Sequence, residues 1–101
     1  MIYSSDKFIR EFTEWCMEKY INYQTAKFYA SIVSNIRNEL GITTVDDSIR
    51  SGGDVRRIID QYNMVAKYPY RSQKACRSAL YRYTEYLRKT DIERGVTNSV
   101  S

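Results

Sequence analysis

The stretch Asn22–Leu40, NYQTAKFYASIVSNIRNEL, repeats apolar residues at helical spacing: Tyr29, Ile32, Val33, Ile36 and Leu40 fall on one stripe. Asn22 stands where an N-cap belongs and Gly41 where a helix stops, so periodicity and punctuation agree on a helix over 23–40. Between the stripe positions lie Gln24, Lys27, Ser31 and Ser34, side chains suited to a polar partner. A helix that is apolar on one side and small, polar and cationic on the other suits the DNA major groove and an ordinary surface helix alike.

The same period predicts the other elements. A first helix spans about 6–20, capped by Ser4 or Ser5, with an apolar face of Phe8, Ile9, Phe12, Trp15 and Cys16 reaching Tyr20. After Gly41 the segment ITTVDDSIRSGG reads as a connection holding a short helical turn that begins at Thr44 or Asp46 and carries Val45 and Ile49. Asp54 caps a helix over 55–66 that buries Val55, Ile58, Ile59, Tyr62 and Val65. Pro69 makes a corner at Tyr68. The final helix runs from Tyr70 or Ser72 to Lys89. It sets Cys76, Leu80, Tyr83 and Leu87, widened by Ala79 and Tyr86, against an opposite side of Arg71, Lys74, Arg77, Ser78, Tyr81, Arg82 and Glu85. The expected architecture is all-α, a four-to-five-helix bundle over 1–89, either up-down or two crossed helical hairpins. Residues 90–101 read as a linker or flexible tail.

Composition narrows the class. The 101 residues make one domain, and 4 Gly with 1 Pro favour helices over a sheet. No apolar run is long enough to span a membrane, and no signal-peptide core is present, so the expected compartment is the cytoplasm. Cys16 and Cys76 sit on apolar positions and read as small buried hydrophobes in a reducing compartment. With no His and 2 Cys, neither a metal nor another cofactor is expected. The net charge of +4 is uneven: residues 1–65 carry eight Lys/Arg and nine Asp/Glu, whereas 66–89 carry seven basic residues and the single acid Glu85. Cationic charge gathered in one helix is what a polyanion partner requires. Of the 10 tyrosines, Tyr29, Tyr62, Tyr83 and Tyr86 fall on core stripes with hydroxyls expected at the surface, while Tyr23, Tyr68, Tyr70 and Tyr81 lie off them.

The order of these features resembles a known family. An amphipathic first helix is followed by a capped Thr25-x-x-x-Tyr29 helix, the Gly41 stop, a short acidic helix, and a basic helix with Ser78-Ala79-Leu80 that ends Tyr83-x-x-Tyr86-Leu87. The pattern, over about 5–98, resembles the N-terminal, SAM-like core-binding domain of tyrosine recombinases and phage integrases. The tail DIERGVTNSV is similar to the segment leading into their catalytic domain. The resemblance implies that the second and last helices clamp double-stranded DNA. The contacts it implies are Gln24, Lys27, Phe28 and Ser31 on one helix, and Arg71, Lys74, Arg77, Ser78, Tyr81 and Arg82 on the other. Independently of the resemblance, DNA binding would also set Lys67 on a phosphate. The family's catalysis needs a second domain with histidine, which this chain lacks, so no catalysis is expected.

Two readings follow. In the first the chain is a double-stranded DNA-binding module. In the second it is a stand-alone interaction or inhibitor protein of a phage or mobile element, with Phe28 and the off-stripe tyrosines meeting a protein partner. An enzyme is the poorest reading, because Asp46, Asp47 and Asp54 are explained by turns and capping and no Gly-rich phosphate loop is present. No small-molecule substrate is evident.

Overall fold

The helical spacing becomes five helices in the computed structural model, which describes residues 3–52, 54–67 and 73–93, without the side chains of 3–6. They are α1 (Tyr3–Glu18), α2 (Tyr23–Leu40), α3 (Ile42–Arg50), α4 (Val55–Val65) and α5 (Gln73–Glu93), and no strand occurs among the described residues. The expected corner at Tyr68-Pro69-Tyr70, the expected start of the last helix at Tyr70 or Ser72, and the tail from residue 94 lie outside them.

Two caps set the ends of the central elements. The Asn22 side chain accepts from the Thr25 N–H at 2.9 Å and the Asp54 carboxylate accepts from the Arg56 N–H at 2.9 Å, each satisfying a donor that a helix N-terminus leaves open. Gly41 closes α2 at φ 100°, with its N–H bonded to the Arg37 carbonyl.

The helix α2 is the hub, packed against α1, α3, α4 and α5. Four neighbours need more than one stripe, so Ala26, Ala30 and Ser34 are buried along with Ile32, Val33 and Ile36. Tyr29 and Leu40 sit at the edges, half-buried. Ser34, at 5% exposure, is therefore not the solvent-facing polar position its type suggests. Against α2 and α5, α1 brings an aromatic cluster. The Phe12 ring lies 5.7 Å from Tyr83 and 5.1 Å from Tyr86, and Trp15 lies 5.5 Å from Tyr86, all edge-to-face.

Several expectations are corrected. The backbone at Ser4 and Ser5 is already helical, so neither caps α1. The connection after Gly41 is a full helix rather than a short turn, because Val45, Asp46 and Ile49 form a buried face at i, i+1 and i+4. Val65 is exposed, standing at the last turn of α4 past the end of the core. The last helix does not stop at Lys89 but continues to Glu93, since Asp91 is held by Arg50 of α3 through a two-pronged pair at 2.8 and 3.0 Å. Tyr83 does not send its hydroxyl to the surface. It donates at 2.7 Å to Asp46, which is 7% exposed and also takes Arg37 at 3.3 Å. Asp46 is thus a core acceptor, not a turn former.

Tyr20 is also outside the core, 99% exposed. The α1 terminus is a Schellman turn: Ile21 N–H reaches the Cys16 carbonyl at 3.2 Å, Tyr20 N–H reaches the Met17 carbonyl at 3.0 Å, and Tyr20 occupies the left-handed position at φ 67°. That position is ordinarily glycine, because an L side chain there costs about 1–2 kcal/mol. Tyr20→Gly is therefore expected to stabilise the fold by about 0.5–1 kcal/mol after the extra unfolded-state entropy of glycine is counted. The rise in Tm is several degrees, read by thermal unfolding at low micromolar concentration. In the opposite direction, Tyr83→Phe strips the buried Asp46 carboxylate of a donor and is expected to cost about 1–3 kcal/mol in urea unfolding.

Candidate nucleic-acid interface

The α2 candidates lie on one solvent-facing strip. Gln24, Lys27 and Phe28 are exposed and Ser31 is half-buried. Lys27 rests its ammonium 5.8 Å from the Tyr23 ring centre, a cation–π contact that leaves its charge at the surface. Phe28, 48% exposed, is an apolar ring in this polar strip.

On α5, Lys74 and Tyr81 are exposed, while Arg77, Ser78 and Arg82 are half-buried. Lys67 is exposed beyond the end of α4. Arg71 lies outside the described residues. Ion pairing sorts the cations. Arg82 donates to Glu85 at 3.1 Å, and Lys89 stands 3.9 Å from Glu18 and 3.7 Å from Glu93. Lys74, Arg77 and Arg88 enter no ion pair among the described residues. Because α5 extends to Glu93, it carries three carboxylates (Glu85, Asp91, Glu93) against five cations, a smaller excess than the segment 66–89 suggested. Arg88, seven residues after Tyr81, belongs with the available cations and was absent from the sequence-based set. The signal for it was that seven-residue spacing, which returns to the same helix face.

The two sets do not merge. The helices meet where the Arg37 guanidinium lies 5.4 Å from the Tyr83 ring. With about 3.6 residues per turn, Gln24 and Phe28 fall on the far side of α2 from Arg37, and Lys74 and Tyr81 on the far side of α5 from Tyr83. Each helix turns its candidate residues away from the other, giving two separate faces.

The remaining reactive groups are sequestered. Cys16 and Cys76 are buried free thiols. Trp15 and Glu18 of α1 lie against Tyr86 and Lys89 of α5, so Cys76 is ten residues, about 15 Å, along α5 from the level of Cys16, too far for a disulfide. Burial pushes the Cys16 thiol up from 9.0 to about 11, with Arg82 opposing and Glu85 adding to the shift, and burial raises Cys76 as well. The described residues contain no group of three or more His, Cys, Asp or Glu arranged to hold a metal. A cleft of about 240 Å³ where α1, α2, α3 and α5 meet has the Arg37–Asp46–Tyr83 cluster in its wall; Asp46 accepts from both of the others, while the buried Arg37 Nε has no hydrogen-bond partner among the described residues.

No protein-family model, curated protein or solved structure matches the chain. None of the described helices is long and apolar enough to cross a membrane.

The Cys16 shift has a pH consequence. The folded state holds the proton more tightly than the unfolded chain, so the stability it supplies is full below pH 9.0 and lost as pH rises through about 11. Urea midpoints are expected to fall across that window, and to fall less in Cys16→Ala. Iodoacetamide at pH 8 is expected to modify neither thiol until urea is added.

Proposed function

We propose that the chain is a double-stranded DNA-binding module that grips the phosphate backbone through the solvent face of α5, with no catalytic step of its own. The observation that carries the reading is the alignment of Lys74, Arg77 and Arg88, unpaired among the described residues, on the side of α5 that also presents the Tyr81 ring, 58% exposed. From residue 74 to residue 88 such a helix spans about 21 Å. That length lets three cations and a phenol meet successive backbone positions. The resemblance to recombinase core-binding domains supports the same partner. The α2 strip of Gln24, Lys27, Phe28 and Ser31 is a second contact on this reading, engaged from a different side.

A protein partner is the second reading. Phe28 favours it, as an exposed apolar ring where a groove contact is ordinarily polar.

The test is fluorescence anisotropy with a mixed-sequence duplex at about 50 and 200 mM salt. Three neutralised phosphates give a log–log slope of about −3 and micromolar affinity at physiological salt. Arg77→Ala and Arg88→Ala are each expected to weaken binding and to flatten the slope by about 1. Absence of binding at the lower salt, or binding that is indifferent to salt and unchanged in Arg77→Ala and Arg88→Ala, overturns this reading of the α5 face.

A further inference from the structure

The α1–α2 turn holds a residue that its own fold does not reward. Tyr20 sits in the left-handed region at φ 67°, where glycine would carry the turn without steric cost, and its ring stands in solvent. A strained backbone position with a large exposed side chain calls for a benefit outside the monomer.

The surroundings indicate what that benefit is. Met17 and Tyr23, also exposed, flank Tyr20 and line an apolar groove of about 530 Å³ between α1 and α2, with Ile9 and Thr13 along its α1 wall. This volume accepts an aromatic side chain. Tyrosine and methionine are enriched at the centres of protein interfaces. The rim carries both signs, Arg10 and Lys27 beside Glu14, and the turn adds Lys19 and Glu18, the latter 3.9 Å from Lys89. Three cations interleaved with two carboxylates make a poor cradle for a polyanion. A two-fold axis, in contrast, places the cations of one copy against the carboxylates of the other.

We propose that this turn is a self-association surface: a second copy of the chain docks on it about a two-fold axis, and each Tyr20 ring enters the other copy's Ile9–Met17–Tyr23 groove. Knob and hole lie on the same patch, so the contact is reciprocal and closes at a dimer rather than growing into a filament. The surface is distinct from the α5 face, shares Lys27 with the α2 strip, and does not depend on DNA binding.

Sedimentation velocity on the full chain without nucleic acid tests it, over about 5 to 500 µM, the range of a small, weak interface. A monomer–dimer equilibrium with a Kd of tens of micromolar is expected. Tyr20→Asn keeps a residue tolerated in the left-handed region but removes the ring. It is expected to raise the Kd at least about tenfold, as loss of an aromatic anchor does, without lowering Tm. Tyr20→Phe is expected to retain the dimer. A chain that stays monomeric throughout, an assembly that grows beyond two copies, or a Tyr20→Asn variant that associates as the parent does would each overturn the proposal.

Discussion

The Asp46 carboxylate is the point on which the packing depends. It belongs to α3, takes the Tyr83 hydroxyl from α5 at 2.7 Å and Arg37 from α2 at 3.3 Å, and the Arg37 guanidinium spreads over the Phe8 ring of α1 at 4.4 Å. A carboxylate this buried is costly unless both oxygens are satisfied, and removing one partner of such a pair costs about 3–5 kcal/mol. Rotating α5 by one residue would carry the Tyr83 hydroxyl out of reach and strand the charge. The node therefore fixes the rotation of α5, and with it which side chains face solvent: Lys74, Tyr81 and Arg88 look outward because Tyr83 must look inward.

Where local chemistry dictates the element, the sequence was readable. Asn22, Gly41 and Asp54 mark ends that propensity and capping decide within a few residues, and α2 and α4 begin where those residues place them. The features that local sequence does not show depend on distant partners. Asp46 looks like a turn former until Tyr83, 37 residues later, supplies its donor. Asp91 looks like the start of a tail until Arg50 closes on it from α3. Ala26, Ala30 and Ser34 register weakly in any apolar count, yet their small side chains suit a helix with four neighbours. Tyr20 fits the α1 stripe by type but falls one residue past the helix cap, where a left-handed backbone swings it into solvent.

The candidate interface illustrates the same division. Charge totals along 66–89 pointed to α5, and the solvent-facing side of α5 does carry cations. Which cations are available is a matter of pairing at 3–4 Å, where Glu85, Glu93 and Glu18 draw Arg82 and Lys89 away. Exposed pairs of this kind contribute little stability, about 0–1 kcal/mol. They still lower the local potential and so divide one helix into available and engaged positions.

The two outward surfaces differ in chemistry, and that difference constrains how they can work together. The α5 face is cationic and suits a partner recognised by charge, whose hold weakens as salt rises. The α1–α2 turn is aromatic with mixed signs, so an association there depends mainly on apolar burial and responds little to salt. A dimer built on that turn would carry two α5 faces, making the second duplex contact intramolecular and raising avidity without any new contact. A strained tyrosine at a helix end would then serve nucleic-acid affinity from a position that never touches the nucleic acid. The stability forgone at φ 67° would be recovered in the assembled state rather than in the isolated chain.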